Sequence, residues 1–121
     1  MSGRIQICEG AEALPASCEV VELEAERPRD EESIRSALAG RLEQARGRGS
    51  RALAVQVPSA GLAGVSLRRC AEILLEEARR HLAGATCIEE IRFVLHGEPA
   101  LRVFESVDDA ARIAAQTSRW T

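Results

Sequence analysis

The chain has 121 residues, 45% of them hydrophobic and 29% charged, with a formal net charge of -3. This length and composition predict one soluble globular domain over residues 1–121. The charge balance provides no basic face for nucleic acid, and no apolar run is long enough to span a membrane, so we expect neither partner. The N-terminus lacks the apolar core of a signal peptide, which predicts a cytoplasmic location.

Few residue types are available for metal or covalent chemistry. All 16 basic residues are arginine, which removes lysine as a Schiff base or phosphate ligand. Four cysteines (8, 18, 70 and 87) and two histidines (81 and 96) show none of the spacings typical of zinc sites. We therefore expect no metal and no cofactor. Buried cysteines acting as small hydrophobic residues are the favoured interpretation.

The first half of the chain predicts two strands, a helix and a third strand. Residues 4–8 alternate polar and apolar side chains, and residues 18–25 do so with enough charge to suggest an edge strand. Asp30 is placed to cap a helix that runs to Arg46. Residues 53–57 are apolar on both faces, as a central parallel strand requires.

The second half predicts a helix, a strand and a final helix. Ser66 is a good N-cap for a helix that Gly84 ends, and residues 88–96 alternate as a strand. The turn at residues 97–99 leads into a last helix, whose apolar spacing allows a break near Asp108. The resulting order, ββαβαβα, predicts an α/β fold: a three-layer α/β/α sandwich with a mixed, mainly parallel sheet.

One candidate site follows from this order. Ligands of such sheets bind at the carboxyl ends of the strands, where residues 58–66 and 96–99 should lie side by side. Gly61 and Gly64 allow the backbone to approach a ligand, and a helix begins directly afterwards. The N-terminus of a helix suits a phosphate or a carboxylate. A tight turn that holds no ligand is the alternative.

The same residues carry a resemblance to a known family. The segment G-L-A-G-V-S, the helix R-R-C-A-E-I-L-L-E-E-A-R-R-H-L, the strand I-E-E-I-R-F-V-L-H and the later Phe104 resemble the C-terminal half of a macro domain. The resemblance implies a reduced macro-like domain that binds ADP-ribose or a related nucleotide. It further implies that the diphosphate lies on the loop and that Phe104 and the segment from His96 border the adenosine. The candidate ligand-binding residues are therefore Ala60, Gly61, Leu62, Ala63, Gly64, Ser66, His96 and Phe104.

The chain also departs from the family pattern. Ala11 follows Gly10 where the family has its adenine-reading aspartate, and Leu23 and Glu24 replace the family's asparagines. The Gly-rich first loop has no counterpart before Asp30. These departures predict a module without catalytic residues and without ADP-ribosylhydrolase activity.

Two functions from different classes therefore stay open. In the first, the chain is a non-catalytic module that binds ADP-ribose or a related nucleotide on its loop. In the second, the pocket is vestigial and the chain is a protein-interaction or assembly module. We also expect a homodimer, because a shortened core would expose sheet edges. The alternative is that residues 100–120 fold back and cover the exposed surface within one chain. The expected contacts are residues 18–25 and the segment that ends at Trp120.

Overall fold

The structure, a computed structural model, describes residues 3–10 and 18–119, with side chains described through residue 116. Trp120, proposed above as a dimer contact, and Ala11 lie outside the described residues. In chain order the elements are β1 (Arg4–Glu9), β2 (Glu19–Glu22), a short 3-10 helix (Leu23–Glu26), α1 (Glu31–Gly47), β3 (Ala52–Gln56), α2 (Leu67–Ala83), β4 (Glu90–Leu95) and α3 (Glu98–Arg119).

The four strands form one sheet in the order β1-β4-β3-β2, and all three pairings are parallel. The predicted α/β fold class is confirmed, and every pairing is parallel where the sequence had suggested a mixed sheet. Within the described ranges, strands β3 and β4 are central, and β1 and β2 form the two edges. The edge position predicted for the second strand is therefore confirmed. No helix within the described ranges has the length and apolar composition needed to cross a membrane.

The helix starts follow the capping chemistry of the sequence. Asp30 accepts a hydrogen bond from the Ser33 N–H at 2.8 Å, and the Ser33 hydroxyl accepts one from the Asp30 N–H at 2.9 Å. This reciprocal capping box fixes the first turn of α1. Ser66 caps α2 in a similar way, because its hydroxyl accepts from the Arg69 N–H at 3.2 Å.

The main core lies between the helices and one face of the sheet. It joins residues of all three helices to the inward-facing residues of the strands, among them Val55, Ile91 and Phe93. A smaller cluster on the other sheet face contains Cys18, Ala54 and Val94, and among the described residues it includes none from a helix. The carboxyl ends of the strands, and the loops that follow them, are therefore held in place mainly by packing on the helix-bearing face of the sheet.

A charged group occupies the other sheet face at the start of β4. The buried Glu90 carboxylate accepts a hydrogen bond from the Arg4 guanidinium at 2.9 Å and another from Arg92. Burial would raise the pKa of Glu90, but the hydrogen bonds and charges of the two arginines outweigh it and lower that pKa. The carboxylate therefore stays charged and holds the Arg92 side chain against the sheet, whereas the paired Arg4 side chain stays 70% exposed.

Three local expectations are corrected. Helix α3 continues through Asp108, whose carboxylate accepts from Arg112 at 2.5 Å and from Arg79, so the side chain supports the helix and its packing on α2. Strand β2 ends at Glu22, because the chain turns into the 3-10 helix. Cys87 is exposed, unlike the buried Cys18 and Cys70.

Candidate ligand-binding site

The loop between β3 and α2, residues 57–66, lies at the carboxyl end of the central strand β3. The turn after β4 lies beside it, since the Ser59 hydroxyl donates to the His96 carbonyl oxygen at 2.8 Å. The prediction that these two segments lie side by side is confirmed. We refer to residues 57–66 as the β3–α2 loop.

Three residues of the β3–α2 loop have left-handed backbone conformations. Gly61 has φ 85°, Ala63 has φ 56° and Gly64 has φ 72°. The Gly61 N–H donates to the Pro58 carbonyl at 3.0 Å, and the Val65 N–H donates to the Leu62 carbonyl at 2.8 Å. The loop therefore consists of two successive tight turns that are closed by their own backbone.

The two glycines have different surroundings. A Cβ atom on Gly61 would lie 2.3 Å from the Val65 carbonyl oxygen, which is a clash with backbone. A Cβ atom on Gly64 would meet nothing within 4 Å. Gly61 is therefore required for the loop to close, whereas Gly64 faces open space where a ligand has room.

The loop leaves part of its backbone available to a ligand. The N–H groups of Ala60, Ala63 and Gly64 make no hydrogen bond within the part of the chain described. Successive backbone N–H groups in a turn form the type of concavity that binds anions. The N-terminus of α2 follows directly, with the sign of its dipole favouring negative charge.

Leu62 is part of the scaffold. Its side chain is only 3% exposed, and its N–H donates to the Cys70 sulfur at 3.3 Å. Burial raises the pKa of the Cys70 thiol, more than the Leu62 hydrogen bond lowers it. Cys70 is therefore a neutral anchor between α2 and the loop, and the Leu62 N–H is not available to a ligand.

The charged residues near the start of α2 are largely committed to one another. Arg69 contacts Glu31 of α1 at 2.9 Å and Glu72 at 3.1 Å. The hydrogen bond to Glu31, followed by that to Glu72, raises the pKa of Arg69. The Ser66 hydroxyl is occupied as a cap. Arg68 is exposed and makes no ion pair within the described residues, so it is the arginine available for an anion.

A small cavity of about 160 Å³ adjoins the loop on its β2 side. Two carboxylates lie at its border with an exposed histidine, and its full lining is Glu22, Glu24, Gln56, Val57, Pro58 and His96. Sequence reasoning singled out His96 here but missed Glu22 and Gln56. The only signal was that both residues end strands. The two carboxylates repel an anion on this side of the loop. A phosphate is therefore expected on the other side, at Ala63 and Gly64.

Phe104 lies away from the surface that the resemblance assigned to it. Its ring is 0% exposed and packs on Phe93, with ring centroids 5.6 Å apart. Phe104 faces the core because this part of α3 packs on the inward side of β4, at Phe93. The ring thus has no exposed surface with which to border an adenosine. Leu23, at a position where the family has an asparagine, is also wholly buried.

The comparisons with known proteins agree on the fold. The Oceanobacillus iheyensis macrodomain with ADP superposes with a TM-score of 0.63 at 17% identity, covering 69% of this chain and 44% of that one. The Trypanosoma brucei macrodomain in complex with ADP-ribose gives a TM-score of 0.58 at 22% identity, covering 64% and 34%. No family model and no curated protein matches the sequence.

These findings define the class. The chain has a macrodomain-like α/β fold, as the sequence motifs predicted, and it spans less than half the length of the macrodomains it resembles. It is thus similar to a reduced macrodomain. At these identities the likeness concerns the fold, and the roles of individual residues remain predictions.

Proposed function

We propose that this chain is a non-catalytic nucleotide-binding module that holds the diphosphate of ADP-ribose or a related nucleotide on the β3–α2 loop. The observation that carries the proposal is the pair of unused N–H groups at Ala63 and Gly64, beside the N-terminus of α2. ADP and ADP-ribose are the ligands of the structural neighbours, which supports this choice of ligand class.

The surroundings of the loop predict weak binding. A cavity of about 160 Å³ is smaller than the 300–1,000 Å³ typical of pockets that enclose a ligand. Phe104 is buried and offers no stacking surface for adenine. Glu22 and Glu24 add like charge near the phosphates. We therefore expect the diphosphate to supply most of the affinity, and the nucleoside little.

Titration calorimetry with ADP-ribose, ADP and adenosine tests this. We expect dissociation constants that are micromolar or weaker for the two diphosphates and no heat of binding for adenosine. Gly64→Glu should abolish binding, because it places a carboxylate at the phosphate position. Gly49→Glu is the matched control, since Gly49 has a similar φ of 76° and equally open surroundings at the end of α1. Equal binding by wild type and Gly64→Glu would refute the loop assignment.

We expect no turnover of mono-ADP-ribosylated protein or of acetylated ADP-ribose. Such hydrolysis requires a positioned water beside the distal ribose. Strand β2 instead runs through the 3-10 helix to the capped start of α1 at Asp30, with no loop to position that water. Release of ADP-ribose measured against a no-enzyme blank checks this, and a rate above the blank that scales with protein concentration would contradict it.

A protein-interaction or assembly module is the second candidate function. The observation that favours it is the acidic border of the cavity, where Glu22 and Glu24 oppose a phosphate ligand. No binding of any nucleotide in the titrations above, with a folded protein, would favour this candidate. A homodimer and a cytoplasmic location stay predictions under either function.

A further inference from the structure

The cavity on the β2 side of the β3–α2 loop carries a surplus of negative charge. Glu22 and Glu24 lie at its border, and the described residues that line it include no arginine. Both side chains are exposed, and neither makes an ion pair or a side-chain hydrogen bond within the described part of the chain. The two carboxylates therefore attract a positive group to this cavity.

The arginines near β2 do not neutralise these carboxylates. Arg41 and Arg48 pair with other glutamates, at 2.7 and 2.5 Å. Arg27 and Arg29, which lie between the 3-10 helix and α1, have exposed side chains that make no ion pair among the described residues. The negative charge of the cavity is thus available to a ligand.

The rest of the cavity suits a small organic cation. Val57 and Pro58 supply apolar surface, and the side chains of Gln56 and His96 supply hydrogen-bonding groups. Its volume of about 160 Å³ holds one ring or one guanidinium, since pockets that enclose a whole ligand are larger. No group of three or more candidate ligands for a metal ion occurs among the described residues, which favours an organic cation over a metal.

The cavity and the unused N–H groups of the loop are close enough for one ligand to reach both. One tight turn, from Pro58 to Gly61, leads from the cavity towards Ala63 and Gly64, and its N–H to carbonyl bond is 3.0 Å long. The ends of such a turn lie within about 7 Å of each other. A phosphate and a positive group that are joined by a spacer of the length of a ribose therefore match this surface.

We propose that the ligand of this site carries a positive group at the far side of its diphosphate. The diphosphate lies on the N–H groups of Ala63 and Gly64, and the positive group lies in the cavity beside Glu22 and Glu24. The inference rests on the proposed function, because it uses the same loop for the diphosphate. Two chemical groups meet the description: the pyridinium ring of an oxidised nicotinamide dinucleotide, and the guanidinium of an arginine that carries ADP-ribose.

Titration calorimetry with NAD⁺ and NADH tests the charge, because these two dinucleotides differ little in shape and NAD⁺ alone has the positive ring. The titrations use low salt and about pH 8, where histidine is ordinarily neutral. NAD⁺ should bind about three- to tenfold more tightly than NADH or ADP-ribose, since exposed charge pairs each contribute a few-fold in affinity. The advantage should shrink at high salt, which screens exposed charges.

ADP-ribosylated arginine is the second cationic ligand in the titrations. Its guanidinium replaces the pyridinium ring as the positive group, while the diphosphate is the same. It should also bind more tightly than ADP-ribose if the cavity selects positive charge. The tighter of the two cationic ligands then identifies the source of the positive group.

A double variant, Glu22→Gln with Glu24→Gln, tests the two carboxylates. It should bind NAD⁺ more weakly than wild type does, and NADH and ADP-ribose more tightly, because it removes both an attraction and a repulsion. Loss of the fold would instead weaken all ligands together, and circular dichroism detects it. Glu105→Gln is the matched control, since it removes an exposed carboxylate beside β1, away from this cavity, and should keep the preference of wild type.

The outcomes separate this inference from the function on which it rests. If neither cationic ligand binds more tightly than NADH and ADP-ribose, the inference is overturned while the diphosphate site stands. If folded wild type binds none of these ligands, both are overturned. A double variant that keeps the preference for the cationic ligands would overturn the assignment of the positive group to this cavity.

Discussion

Gly61→Ala should destabilise the protein by about 3 kcal/mol or more, whereas Gly64→Ala should cost only about 1 kcal/mol. Both glycines have positive φ, so both substitutions carry the left-handed penalty of an L residue. Only at Gly61 would the new Cβ also meet backbone, at 2.3 Å from the Val65 carbonyl oxygen and 3.2 Å from the Leu67 N atom. Relief of that clash requires the loop to open and the start of α2 to move.

The measurement is urea unfolding followed by circular dichroism, with the free energy of unfolding compared between the two variants. Ala63 provides an internal reference, because the wild-type chain already holds an alanine at φ 56° where space permits. Equal losses for Gly61→Ala and Gly64→Ala would show that the backbone penalty alone decides, and that the close approach to Val65 is relaxed in solution.

Phe104→Ala should cost about 3–5 kcal/mol of stability, a large part of the total for a domain of this size. The ring is wholly buried and packs on Phe93 at a centroid distance of 5.6 Å, so its removal leaves a cavity between α3 and β4. Phe104→Leu fills much of that cavity and should cost markedly less. Thermal unfolding of both variants checks the order.

The same pair of variants separates a core role from a ligand-binding role for this residue. If Phe104 is a core residue, Phe104→Leu should bind ADP-ribose with the affinity of wild type, although its midpoint of unfolding falls. A stable Phe104→Leu variant that loses binding would show instead that the ring reaches the ligand, which requires α3 to shift from its position in this structure.

The sequence by itself determined the local elements. The capping residues Asp30 and Ser66 and the apolar periods of α1 and α2 predicted those helices to within one or two residues. The alternation of Ile91, Phe93 and Leu95 predicted β4. Capping and amphipathic periodicity are interactions among residues close in sequence, so they are legible before any tertiary contact is known.

Parts of the candidate site were also predictable, because a positive φ and a helix start are local features. The β3–α2 loop and its position beside His96 followed from the glycines, from Ser66 and from the rule for parallel sheets. The difference between Gly61 and Gly64 did not, since it depends on how closely the Val65 carbonyl folds back on the loop. In the sequence the two glycines are equivalent. In the structure Gly61 is required for the loop to close, and Gly64 faces open space.

Only the tertiary structure decided which residues meet across long separations in the chain. The parallel order β1-β4-β3-β2 brings Glu22, Gln56 and His96 to one cavity, although they belong to three different segments. The same packing turns the Phe104 side chain into the core. Strand order and helix orientation are set by the burial of the whole apolar surface at once. No single segment therefore carries the information that places these residues.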